Sequence, residues 1–156
     1  IDALHKCVKD LPGLKLLLIG TGALRNEIEA MVKERGLSEY VSFLGLRRDI
    51  PDVISALDIY VQPSLAEAFS ISITEAMSMG VACIVTDVGG NREIVGEDQC
   101  GILVPPKDTD ALKDAIVRLA QDADLREKMG KAARERIAKV FSPQRYVNSL
   151  EELYDD

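Results

Sequence analysis

This sequence has little of what the commonest catalytic devices need. It contains one histidine, His5, no tryptophan, and only 3 phenylalanines and 4 tyrosines. A single imidazole argues against a histidine-based nucleophilic triad or a histidine-rich metal site, and His5 falls where a helix surface is expected. Cysteine is scarce and unpatterned: Cys7, Cys83 and Cys100 are an odd set with no CxxC spacing. They read as buried free thiols of a reducing compartment, not as a disulfide framework or a zinc site. Glycine (11) and proline (6) are ordinary for 156 residues, and 47% of the chain is hydrophobic, which excludes collagen-like, low-complexity and disordered classes. Apolar runs are short, and none approaches the ~18 residues that span a bilayer. Basic charge is in deficit, since 19 Lys+Arg face 26 Asp+Glu for a net charge of −7. A groove that tracks DNA or RNA needs a basic field, so nucleic acid is not an expected partner. A small anionic ligand remains compatible, because backbone N–H groups at a helix N-terminus bind anions whatever the net charge.

What is present is an alternation. The length suits one globular domain, residues 1–156, able to fold around its own core. The chain begins Ile1-Asp2-Ala3 with no leader pattern and reads as an internal segment of something longer. Apolar spacing and breakers predict helices over 2–11, 23–35, 49–57 and 71–79, with a single helical turn at 92–95. Further helices follow over 109–121, 123–139 and 143–154, the last started by Ser142 as N-cap and Pro143 as first residue. Strands are expected at 14–19, 41–44, 59–62, 81–86 and 102–104. Strands alternating with helices imply right-handed crossovers and a parallel, doubly wound, Rossmann-like sheet with C-terminal helices. Such sheets hold ligands beyond the carboxyl ends of their strands. The loops to search are therefore 20–23, 45–49, 63–70 and 87–92.

Gly20-Thr21-Gly22 follows a strand and opens a helix. A dinucleotide fingerprint would need glycine or alanine where Arg25 stands, and no P-loop lysine follows. Two readings stay open here: a turn that needs positive φ, or a close backbone approach to a ligand. The segment from Pro63 to Met77 says more. Glu67 lies in the loop after a strand, and Glu75 lies in the helix that follows. Between them, N–H groups near 69–71 open that helix with unpaired donors and a partial positive charge. The arrangement suits a diphosphate flanked by two polyols, the backbone taking the phosphates and one carboxylate on each side accepting from hydroxyls. The plainer alternative makes Glu67 a solvated loop residue and Glu75 a helix-surface one.

The pair Glu67 and Glu75, with Phe69 between and Ala76-Met77 behind, resembles the E-x7-E motif of retaining GT-B glycosyltransferases of family 4, or group 1. Other segments fall in the same order: Gly20 and Gly22 with Leu24, Val41-Ser42-Phe43-Leu44-Gly45, Asp58 through Pro63-Ser64, Thr86-Asp87-Val88-Gly89-Gly90 with Glu93-Ile94-Val95, and Gly101-Ile102-Leu103-Val104. The resemblance covers essentially the whole chain and implies the C-terminal, donor-binding half of a GT-B fold. There are departures. Ala68 replaces a usual glycine, Ala82 a common proline, and at the variable position 70 the Ser70 hydroxyl is available to a phosphate. The strand and loop that carry the family's diphosphate-binding Arg and Lys are absent, as is the N-terminal acceptor domain. The absent strand belongs in the centre of the sheet.

The resemblance implies roles residue by residue. Glu67 would hold donor-sugar hydroxyls in catalysis. Phe69, Ser70 and Ile71 would offer backbone N–H groups to the sugar and diphosphate, and Glu75 would accept from the ribose. Arg47, through its backbone, and Asp49 would border the base, while Gly20 and Gly22 would let ribose and base approach. Gly89 and Gly90 read as a tight turn feeding a helix capped by Asn91. The implied partner is a nucleotide-sugar donor, a substrate and not a cofactor, with no metal, the acceptor being held mainly by the absent domain. Localisation would be cytoplasmic, or peripheral at the inner face of the membrane for the longer protein. The alternatives are a non-catalytic nucleotide-sugar-binding or regulatory module, a GT-B epimerase, for which histidines are lacking, and a phosphoacceptor receiver domain, whose acidic cluster is replaced by Gly20-Thr21-Gly22.

Overall fold

The computed structural model describes residues 1–96, 99–142, 144, 145, 147, 148, 151 and 154. Twelve elements alternate as the sequence implies. They are α1 (Asp2–Cys7), β1 (Leu16–Ile19), α2 (Arg25–Glu34), β2 (Val41–Gly45), α3 (Ile50–Ser55), β3 (Ile59–Gln62), α4 (Ile71–Ser78), β4 (Ala82–Thr86), α5 (Asn91–Val95), β5 (Ile102–Val104), α6 (Thr109–Gln121) and α7 (Ala123–Val140). α1 is shorter than the periodicity suggests. Beyond Cys7 the chain continues in turns, the Asp10 and Leu11 N–H groups both donating to the Cys7 carbonyl. α6 and α7 begin where side chains can cap them: Asp108 accepts from the Ala111 N–H and Asp122 from the Leu125 N–H, both at 2.9 Å. The Ser142 hydroxyl accepts the Arg145 N–H at 3.3 Å, as a cap should. The rest of the helix expected over 143–154, Pro143 included, lies mostly outside the described residues.

Every strand pairing is parallel, and the sheet is in two pieces. β1 pairs with β2, and β3, β4 and β5 pair in that order. Among the described residues β1 and β3 each keep one edge without a ladder partner. The architecture is α/β and Rossmann-like. β4 is central in its piece and buried on both faces throughout, as a continuous apolar run should be. On one side of it Ile73, Ala76, Met77, Val85 and Ile94 pack with α7, and on the other Ile84 packs with Ala115, Leu119 and Met129. The β1–β2 piece has a thinner core of Leu4, Val32, Leu37 and Val41. α1 links the two pieces by packing on α6, with Lys6 2.5 Å from Asp110 and Lys113 3.3 Å from Asp10.

Cys7 and Cys83 are buried free thiols, whereas Cys100 is only partly buried, which corrects the expectation for the third. Burial pushes the Cys83 thiol up to about 12 and raises Cys7 as well, so neither carries a reactive thiolate.

Candidate functional site

The loop between β3 and α4 is fixed by hydrogen bonds that start on the strand. β3 ends at Gln62, and the strand's period puts Tyr60 and Gln62 on one face, with Ser64 in the loop two residues beyond. Glu67 is half-buried above them. Its Oε1 accepts from Gln62 Nε2 at 2.8 Å and from the Ser64 hydroxyl at 2.9 Å. Its Oε2 has no partner among the described residues. One carboxylate oxygen is therefore spent on holding the side chain in place, and the other is available to a ligand.

Four residues further on, the chain enters α4. The backbone N–H groups of Phe69, Ser70 and Ile71 donate to no protein acceptor among the described residues, so the helix mouth presents several unpaired donors and the positive end of its dipole. Ser70 is the N-cap, its hydroxyl 3.4 Å from the Ile73 N–H. That hydroxyl is buried and already engaged with Gln62 at 2.9 Å and with Ser72 at 3.0 Å. The cap and the strand end already engage this hydroxyl, while the Ser70 backbone N–H has no protein acceptor among the described residues.

Glu75 is exposed one turn into α4 and has no ion-pair or hydrogen-bond partner among the described residues. It lines a largely apolar cavity of about 830 Å³ walled by Ile50, Pro51 and Ile54 of α3, Phe69 and Thr74, and Phe141 beyond α7. Glu67 is not part of that wall. The Phe69 ring closes one side by meeting Phe141 edge-on, ring centres 5.6 Å apart. Phe141 in turn lies beneath Arg136, whose guanidinium donates to the Glu93 and Ile94 carbonyls at 2.6 and 2.8 Å.

The loops after β1 and β2 meet at their roots, where the Gly20 N–H donates to the Gly45 carbonyl at 2.7 Å. Gly20 adopts φ of 111°, which answers one of the open readings: this turn needs glycine for its backbone. A methyl group added at Gly20 or Gly22 would meet nothing within 4 Å, so the space above both is open. Arg47 and Asp49 pair with one another through two contacts, Nε to Oδ1 at 2.8 Å and Nη2 to Oδ2. The guanidinium hydrogen bond holds the Asp49 carboxyl below its ordinary range and raises Arg47. The Arg47 side chain is thus engaged by Asp49.

Gly89 and Gly90 do more than turn the chain. A Cβ at Gly89 would fall inside the contact distance of the Glu67 carbonyl oxygen, and one at Gly90 inside that of Ala68. The Gly90 N–H donates to the Ala68 carbonyl at 3.1 Å. The two glycines are a platform on which the Glu67–Ala68 backbone rests. Asn91 is not the cap expected of it. Gly90 holds the N-cap position, and the fully buried Asn91 side chain turns inward to donate to the Thr86 carbonyl at 3.0 Å.

Gln62, Tyr60, Ser64 and Ser72 were not legible as site residues. The available signal was a row of polar residues at the end of an otherwise apolar strand, repeating on one face and followed by a serine pair at the next helix start.

A family model described as glycosyl transferases group 1 matches residues 1–136. The chain is 33% identical over 147 residues to the Escherichia coli UDP-Gal:alpha-D-GlcNAc-diphosphoundecaprenol alpha-1,3-galactosyltransferase, covering 94% of this chain and 38% of that protein. Its fold superposes on sucrose-phosphate synthase from Thermosynechococcus elongatus with a TM-score of 0.87 and 31% identity, over 99% of this chain and 41% of the other. HepE of Anabaena, solved in complex with UDP, gives a TM-score of 0.87 at 26% identity, over 97% of this chain and 43% of the other. The chain thus spans about two-fifths of the length of these proteins.

Proposed function

The chain belongs to the group 1 glycosyltransferases, and from that premise we propose that it is the donor-binding part of an enzyme that moves a sugar from a nucleotide-sugar to an acceptor with retention of anomeric configuration. One observation carries the reading. Among the described residues three backbone N–H groups stand unpartnered at the mouth of α4, with a half-free carboxylate, Glu67, on one side and an unpaired carboxylate, Glu75, on the other. The N–H groups take the diphosphate and stabilise it as it departs from the sugar carbon, where pre-aimed donors contribute most. Glu67 Oε2 accepts from sugar hydroxyls, and Glu75 from the ribose at the edge of the cavity. Gly20 and Gly22 leave room for the ribose and base, and the Arg47 backbone and Asp49 border the base. The nucleotide-sugar is the substrate, and the reading requires no resident cofactor or metal.

The acceptor is held by a region outside this chain, and a strand from outside joins the two pieces of the sheet. The buried free thiols of Cys7 and Cys83 suit a cytoplasmic setting. A peripheral position at the membrane's inner face suits a lipid-linked acceptor such as the one in the name of the E. coli relative. No helix among the described residues is long and apolar enough to cross a membrane.

The test is Glu67→Ala in the full-length protein. Sugar contacts that tighten as the ring flattens act on the chemical step. The variant should lose about 10²-fold in kcat, roughly 2.7 kcal/mol of barrier, while its affinity for the free nucleoside diphosphate stays near that of the parent. Normal kcat returns Glu67 to a solvated loop residue. Donor binding without any turnover in the parent protein would make the domain a binding or regulatory module instead.

A further inference from the structure

We propose that Gln62 is a positioning residue that holds the Glu67 carboxylate at a fixed offset from the mouth of α4, and so sets the register between the sugar grip and the diphosphate grip. The inference rests on the donor-site reading above and extends it to a residue that touches neither ligand group.

The amide of Gln62 is engaged at every position. Nε2 lies 2.8 Å from Glu67 Oε1 and 2.9 Å from Ser70 Oγ, so its two hydrogens are both used. Oε1 accepts from the Tyr60 phenol at 2.8 Å and the Ser72 hydroxyl at 2.9 Å. These neighbours also fix which way the amide points: a carboxylate can only accept, so the NH2 end must face Glu67. Burial raises the Tyr60 phenol above its ordinary range, which keeps it protonated and a donor to Oε1.

The backbone carrying this amide does not belong to the loop. Gln62 is the last residue of β3, in ladder register with the fully buried Val85 of β4. The Thr86 hydroxyl of β4 clamps the strand end by donating to the Ser64 carbonyl at 2.6 Å. The side chain thus refers both Glu67 and the α4 cap to a strand paired with the fully buried β4. The loop backbone is held independently from the other side by Gly89 and Gly90. With Oε1 fixed from below and the main chain fixed from behind, the free Oε2 has little freedom in where it points. A carboxylate on an exposed loop would otherwise have to be ordered by the substrate in every turnover.

Small displacements of a positioned group are expensive, an ångström costing up to about 10²-fold in rate. Gln62→Glu in the full-length protein keeps the shape and turns the donor facing Glu67 into a second carboxyl. It should lower kcat about 10-fold or more while nucleoside diphosphate affinity stays within about twofold, since the α4 backbone donors are untouched. Its pH profile should differ from the parent's. One proton shared between position 62 and Glu67 restores the contact, so part of the kcat should return as pH falls and vanish as it rises. The other titratable groups that share this surrounding are Tyr60, Cys83 and Glu75, and the parent enzyme measured over the same range accounts for them. Gln62→Leu, which removes both hydrogen-bonding arms at little cost to strand propensity, gives a second reading that does not depend on a carboxyl being tolerated. It should show the kcat loss with no new pH dependence. Normal kcat in both variants while Glu67→Ala loses its 10²-fold overturns the positioning role alone. So does a loss of nucleoside diphosphate affinity in step with kcat, which marks a structural residue. Normal kcat in Glu67→Ala overturns the sugar grip, and the role of Gln62 with it.

Discussion

The two pieces of the sheet are built to different tolerances. In the β3–β4–β5 piece the central strand is buried at every residue, and the glycine pair after it is filled by another stretch of backbone. In the β1–β2 piece no residue of β1 is fully buried, and the space over Gly20 and Gly22 is empty to 4 Å. The residues proposed to hold the sugar and diphosphate hang from the dense piece. The loops assigned to ribose and base hang from the sparse one. Under the proposed function, close packing falls where an error in position would lower the rate, and openness where a planar ring need only slide in. The same residue type serves both ends: glycine admits protein backbone at one turn and leaves room for a ligand at the other.

That contrast can be broken most readily in the cores. Ile84→Ala in β4 should cost about 3–5 kcal/mol, because its dense surroundings cannot collapse onto the cavity, whereas Leu17→Ala in β1 should cost about 1–2 kcal/mol. Urea unfolding of both variants decides it, and equal losses would mean that the two pieces are equally well packed. The glycines come next. Gly89→Ala adds a left-handed backbone penalty to a collision with the Glu67 carbonyl and should destabilise by about 3 kcal/mol. Gly22→Ala should change stability by less than about 1 kcal/mol and still weaken binding of a nucleotide-sugar in calorimetry. Ser70→Ala removes a helix cap from the dense piece and should cost about 1 kcal/mol in thermal unfolding.

The smallest effect belongs to Asp49 on the sparse piece. Its folded pKa is depressed by the hydrogen bond from Arg47, so its contribution to stability is present above the unfolded value and lost as pH falls through the folded one. An NMR titration should find the Asp49 carboxyl below the ordinary carboxylate range. Arg47→Gln should return it to that range.

The order of elements, and the loops that carry the site, were legible because they follow from periodicity and breakers, which are local. The positions of Glu67 and Glu75 were legible because a strand end and a helix start bracket them. Other features escaped for a shared physical reason. The engagement of Ser70, the inward turn of Asn91 and the hub at Gln62 all depend on which backbone from elsewhere comes within hydrogen-bond reach. Asn91 occupies the position where a cap is expected by spacing, yet the end of β4 offers its amide a buried carbonyl and Gly90 takes the cap position. Gly89 and Gly90 look like a turn from their neighbours alone, and their second duty appears only once the loop after β3 is laid across them.

The contact between Phe69 and Phe141 has a consequence in time as well as in space. A ribosome delivers Gln62, Glu67 and the start of α4 well before the end of α7. At about 5–20 residues per second, the donor loop waits several seconds for the ring that braces it. Until Phe141 emerges, one wall of the cavity beside Glu75 is missing and Phe69, exposed even in the folded domain, has no ring against it. The nascent chain therefore carries its motif long before it carries its site, and a truncation that spares both glutamates but ends ahead of Phe141 should leave the motif without its brace.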